Sequence, residues 1–180
     1  FNEVGISGVA YEASIAGYEV DWSIHSIASM LRQQVNNSIG GMDVTNNSWG
    51  FTRPFADDFD SPLLEHLAET LETGVNEGRL LDGEYLGVNW VFAAGNSRNR
   101  GDNTNYHNFQ NSRFVTTVAA TDSEGNTSSF STPGASILVS AFGEELVEQL
   151  QIDDALDLIH VVPNLFGGNN TGLGTANMYY

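Results

Sequence analysis

The sequence predicts an α/β protein built on a mainly parallel sheet, and three observations carry that reading. Strand-like and helix-like segments alternate as far as Phe142, which is the signature of parallel strands joined by crossovers. The run Val88 to Ala94 is apolar almost without a break, as a strand covered on both faces should be. The chain has 180 residues, 41% hydrophobic and 11% aromatic, enough for one domain with a substantial core.

Ala13 to Val20 alternates between small or apolar and other residues and reads as the first strand. Ser23 then stands as a helix cap, and Ile24, Ile27, Ala28 and Leu31 share one face of a helix to about Val35. Met42 to Ser48 reads as a short strand. After a loop from Phe51 to Asp60, Ser61 and Pro62 suit the cap and first turn of a second helix. Leu63, Leu67, Leu71 and Val75 recur every four residues along it, and Gly78 follows its expected end at about Glu77. Val88 to Ala94, Phe114 to Ala120 and Ile137 to Ala141 are the remaining strands, the last preceded by the turn Ser131-Thr132-Pro133-Gly134. No linker and no internal repeat divides residues 1–142. Residues 143–180, acidic to Leu158 and then rich in Gly and Asn from Phe166 to Gly174, read as a divergent insertion or loop of the same single domain.

Charge excludes several functions. Six basic residues, all Arg, face 23 acidic ones for a net charge of −17. Nucleic acid and anionic membrane surfaces both require a basic face, so neither is an expected partner. Cations are the favoured guests, and such acidity suits a secreted or extracellular protein. There is no cysteine, hence no disulfide framework and no thiolate metal site. No apolar run approaches the roughly 18 residues of a membrane span. Phe1-Asn2-Glu3 has no signal-peptide character, and the chain is expected to begin inside a longer protein.

Two strand ends carry the chemistry. One is Asn47-Ser48-Trp49-Gly50. The other is Ala93-Ala94-Gly95-Asn96, where small residues let another backbone approach and an amide aims beyond the strand end, the place where α/β folds hold their sites. With Ser131 to Ala141 (STPGASILVSA) and the Asn103 to Ser112 run, these segments resemble the subtilisin-like serine peptidases over residues 1–142. The resemblance implies a three-layer α/β/α sandwich, here incomplete, and a secreted endopeptidase that hydrolyses peptide bonds.

By the same resemblance Asn96 is the side-chain donor of the oxyanion hole. Ser48, Trp49 and Gly50 pair with the substrate backbone as an added strand. Ala93, Ala94 and Gly95 form the opposite wall of the pocket for the residue before the scissile bond, where small walls leave room for a sizeable side chain. Asn2, Val4 and Ile6 fall on a calcium loop, with calcium as a structural cofactor of the parent protein. Asp102 falls on a further calcium-binding acid of the convertase and kexin branch. His107 stands where that branch has a selectivity Asp, and Thr132 replaces another acid. Asp57 and Asp58 could supply replacement acid.

The catalytic Asp and His are expected before Phe1 and the Ser after the chain. The one Gly-Thr pair of suitable kind, Gly174-Thr175, is followed by Ala176, which has no hydroxyl. His25, His66 and His160 read as structural. His107 adjoins the site but has no Ser and acid placed with it in the sequence. The isolated chain is therefore expected to be inactive and to associate with the missing segments or with itself. The alternative is a non-catalytic extracellular module that binds peptides along the Ser48–Gly50 edge.

Overall fold

A computed structural model describes residues 10, 12–39 and 42–143. The expected calcium loop Asn2–Ile6 and the stretch from 144 to 180, with His160 and Gly174-Thr175, lie outside the described residues.

Helix α1 spans Ile24–Ile39. Its start follows from its cap: the Ser23 hydroxyl accepts the Ser26 backbone N–H at 3.1 Å, and the Ser26 hydroxyl accepts that of Asp21 at 3.1 Å. The two exchanges satisfy donors that a helix start leaves open. Strand β1, Val44–Asn47, follows. Helix α2, Glu65–Glu77, begins later than its expected cap. Ser61 still anchors the lead-in, its carbonyl accepting from Leu64 and Glu65 at 2.8 and 2.9 Å. Gly78 ends the helix with φ −82, outside the left-handed region. It is glycine for space, since a Cβ there would strike the Gly74 carbonyl.

A short hairpin of β2 (Leu80–Leu81) and β3 (Glu84–Tyr85), not expected from the sequence, leads into β4, Asn89–Ala93. Strands β5 (Val115–Thr121) and β6 (Ile137–Phe142) complete a parallel sheet of order β1-β4-β5-β6. Helix α2 is the crossover between β1 and β4. Between β4 and β5 the chain makes only two 3₁₀ turns, Arg98–Arg100 and Thr104–Tyr106.

Residues 13–20 form no strand, which corrects the first expected element. Alternation alone suggested it, but no described strand lies alongside. Tyr18 and Val20 instead pack on the core cluster, and the Tyr18 hydroxyl accepts from Asn37 of α1 at 2.7 Å.

Both helices cover one face of the sheet. Ile27 and Leu31 from α1, Leu67 and Leu71 from α2, and Trp90 and Phe92 from β4 belong to one buried cluster that also holds Trp49, Phe109 and Val115. Full burial of side chains such as Phe92 and Phe109 contributes roughly 1.5–3 kcal/mol each. The Trp90 indole donates to the Leu71 carbonyl at 3.1 Å, fixing α2 on the sheet. Among the described residues no helix covers the opposite face, and Val44 and Val139 stay exposed. This is an incomplete α/β sheet. No described helix is long and apolar enough to cross a membrane.

Candidate functional site: a cleft at two strand ends

The carboxyl ends of β1 and β4 are neighbours in the sheet, Asn47 being paired with Phe92. Beyond β1, Asn47 is buried and its Oδ1 accepts from Gln34 of α1 at 3.2 Å and from the Trp49 indole at 3.1 Å. Trp49 is 7% exposed and lies edge-on to Phe92 and Phe109, at 5.3 and 5.1 Å between ring centroids. Its ring is thus an internal anchor. Ser48 and Gly50, half-buried, are the parts of this segment that keep an outward aspect.

Beyond β4, Ala93 and Ala94 are buried and Gly95 has φ +100, which L side chains rarely adopt. The turn is held from behind. The Gly95 carbonyl accepts from the Thr132 N–H at 3.0 Å, and the Thr132 hydroxyl accepts from the Ser97 N–H at 2.9 Å. A Cβ on Gly95 would stand 3.1 Å from that hydroxyl oxygen. Asn96 follows directly and is half-buried.

A buried ionic cluster lies behind the site. His107 is 4% exposed, Asp102 8% and Asp57 0%. The His107 Nε2 stands 3.0 and 2.9 Å from the two carboxylate oxygens of Asp102, and its Nδ1 stands 3.5 Å from Asp57 Oδ1. Burial pulls the imidazole pKa down, but the interactions with Asp57 and Asp102 outweigh it and the net shift is upward from 6.5. The carboxylates are also held by backbone: Asp57 accepts from the Phe109 N–H at 2.9 Å and Asp102 from the Asn103 N–H at 2.8 Å. The loop from Phe51 to Asp60 is thereby stitched to 102–109, with the Phe55 N–H donating to the Tyr106 carbonyl at 2.8 Å.

The structure therefore places Ser48 and Gly50 just beyond β1, and Ala94, Gly95 and Asn96 just beyond the neighbouring β4 that ends in Ala93, and sends the Trp49 ring inward. Of the two acids in the 51–60 loop, Asp57 reaches the cluster and Asp58 is exposed. Sequence reading missed the Asp57–His107–Asp102 arrangement because Asp57 is fifty residues from its partner. The only signal was an acid pair in a loop otherwise rich in Phe. Among the described residues, no three His, Cys, Asp or Glu side chains group so as to hold a metal ion. His25 is exposed and His66 half-buried on the helices.

A parallel sheet with its small-residue turn and amide at the strand ends defines an α/β protein, a class that holds its sites outside the carboxyl edge of the sheet. The chain belongs to the subtilase family, whose profile matches residues 1–172. It is 27% identical over 154 residues to mouse proprotein convertase subtilisin/kexin type 7, covering 82% of this chain and 18% of that protein. It is 36% identical over 124 residues to kexin of Saccharomyces cerevisiae, covering 64% of this chain and 13% of kexin. The chain thus spans less than a fifth of these relatives. Among solved structures, the serine protease of Aeromonas sobria superposes with a TM-score of 0.55 at 20% identity, over 69% of this chain and 22% of that one. A protease of Pseudoalteromonas arctica superposes with a TM-score of 0.54 at 24% identity, over 79% and 39%. These likenesses show the subtilisin-like fold.

Proposed function

We propose that this chain supplies the oxyanion hole and substrate cleft of a secreted serine endopeptidase, active as the full-length protein and inactive alone. The observation that carries the reading is the Gly95 turn: φ +100, locked to Thr132, with Asn96 next in the chain and Ser48–Gly50 on the neighbouring strand end.

Peptide-bond hydrolysis by this class needs a hydroxyl nucleophile, an imidazole base, an orienting carboxylate and donors for the developing oxyanion. In this proposal the first three come from outside the described residues. The Asn96 amide donates a hydrogen bond to the carbonyl oxygen as it gains charge. Because the turn fixes the backbone before substrate arrives, that donor needs little reorganisation. The main chain of Ser48 to Gly50 lies beside an extended substrate as an added strand. Ala93 to Gly95 face it from the other side.

We read Asp102 as the charge partner of His107. Both its oxygens are taken by the imidazole, and Thr132 at the neighbouring position offers no charge, so these residues do not fit a divalent cation. A calcium ion fits the chemistry of Asn2, Val4 and Ile6 better, an amide oxygen and two carbonyls, and would brace the opening loop.

The test is hydrolysis of a mixed peptide library by the full-length protein, with and without calcium chelation, beside the 180-residue chain. Cleavage by the full-length protein alone supports the proposal. Removing one oxyanion donor of this kind from subtilisin costs ~10²–10³ in kcat, and Asn96→Ala is expected to do the same here with little change in KM. A well-folded full-length protein that cleaves nothing would sink it and leave peptide binding along the Ser48–Gly50 edge.

A further inference from the structure

One side chain occupies the gap between the two walls of this cleft. Trp49, Phe92 and Phe109 all point into the aromatic core. The residues that follow them in the chain are Gly50, Ala93 and Gln110, and the contacts bring these three together. Gln110 is 5% exposed, and its Nε2 donates to the Ala93 carbonyl at 3.2 Å. The same nitrogen lies 2.9 Å from the place a Cβ on Gly50 would take, so the carboxamide rests against the bare Cα of Gly50. Its backbone is pinned as well, the Gln110 carbonyl accepting from the Thr117 hydroxyl at 2.8 Å.

The Gln110 Oε1 is buried and has no hydrogen-bond partner. A buried polar atom left in that state is uncommon and needs a reason. The amide nitrogen serves the Ala93 carbonyl while the oxygen serves no described group, and a side chain of this length is what reaches both Gly50 and Ala93.

We infer that Gln110 is the specificity-determining residue of the cleft: it closes the slot between Gly50 and Ala93–Gly95 and restricts it to short side chains before the scissile bond. The inference rests on the peptidase reading of the same cleft. Small residues on both walls suggest room for a large side chain, and Gln110 takes that room.

The test uses the full-length protein as wild type, Gln110→Ala and Gln110→Met, on peptides that differ only in Ala, Leu or Phe before the cleaved bond. Binding of the same peptides is followed by fluorescence anisotropy. Wild type is expected to favour Ala. Because one methylene of pocket fit is worth about 10–200-fold in kcat/KM, Gln110→Ala should shift the Phe-to-Ala ratio at least about 10-fold toward Phe. Gln110→Met, of similar length, should keep the wild-type order. Gln110→Asn, one methylene shorter, gives a smaller step the same way and serves where Gln110→Ala does not fold. Wild type that accepts Phe as readily as Ala overturns the inference. So does an unchanged ratio in Gln110→Ala, or a uniform loss on all three peptides. A folded wild type that binds but does not cleave defeats the peptidase reading alone. The affinity ratios then decide the slot, a shift toward Phe in Gln110→Ala supporting it and none overturning it.

Discussion

Replacing His107 by Ala is the sharpest perturbation of the scaffold behind the cleft. It leaves Asp57, 0% exposed, and Asp102, 8% exposed, facing each other with no cation between them. Removing one partner of a buried ion pair costs about 3–5 kcal/mol. Each carboxylate keeps one backbone donor, Phe109 for Asp57 and Asn103 for Asp102, which places the expected loss near the lower end, about 3 kcal/mol. For a domain of this size each kcal/mol moves Tm by about 2–4 °C, so a fall of roughly 6–12 °C is expected in thermal unfolding of the full-length protein. Asp102→Asn added to His107→Ala removes one stranded charge and should recover part of the loss. The pH dependence has a definite sign. The folded pKa of His107 is raised above its ordinary value, so its stabilisation is fully present below about pH 6.5 and fades as pH rises through the folded pKa. The Tm gap between wild type and His107→Gln should therefore be widest near pH 6 and narrow toward alkaline pH, by roughly the contribution of one paired charge. A His107→Ala loss under about 1 kcal/mol, the range of an exposed pair, or a gap that widens with rising pH, would refute the cluster as described.

Two glycines give opposite tests of the packing, beside the Asn96 and Gln110 substitutions already described. Gly95→Ala puts a side chain at φ +100 and its Cβ 3.1 Å from the Thr132 hydroxyl. A cost of about 1–3 kcal/mol is expected in denaturant unfolding, with kcat falling more than KM rises, because the turn aims Asn96. Gly74→Ala sits inside α2, where alanine ordinarily gains about 1 kcal/mol over glycine. Here the added Cβ would stand 2.6 Å from the Trp90 ring, so the substitution should destabilise, and a stabilised variant would show that Trp90 is not packed as described.

The sheet was legible because its strands are short, apolar and separated by helix-period or turn segments. β4, β5 and β6 fall within a residue or so of the runs that announced them. Local chemistry also marked α1 through Ser23. Residues 13–20 failed for a physical reason: alternation reports a two-faced segment, and whether a strand lies beside it is a non-local fact. The two strand ends were legible in the same measure. Small residues and an asparagine at a strand end are visible in the chain, as is the adjacency of two such ends in a parallel sheet. What filled the space between them was not. Gln110 and His107 are separated from Gly50 and Asp57 by fifty residues or more, and an acid, an imidazole and an amide each look like solvated loop residues until the fold buries them.

That burial bears on how the two strand ends are held. The connection from β4 to β5 has no α-helix, only 3₁₀ turns, and the loop from Phe51 to Asp60 has no regular structure beyond a bridge and turns. Two such loops have little ladder hydrogen bonding to hold them, and loops are ordinarily the mobile parts of a fold. Here Phe109 inserts between Trp49, Phe51, Phe59 and Phe92, while His107 ties Asp57 to Asp102. An aromatic wedge and an ion cluster two residues apart thus fix both loops from the same short stretch, and Gln110, next to the wedge, inherits that rigidity. A side chain that limits the size of a substrate residue can do so only if it cannot yield. On the proposed reading of Gln110, the stretch from His107 to Gln110 couples stability to specificity, and loss of the cluster should blur the size preference before it unfolds the domain.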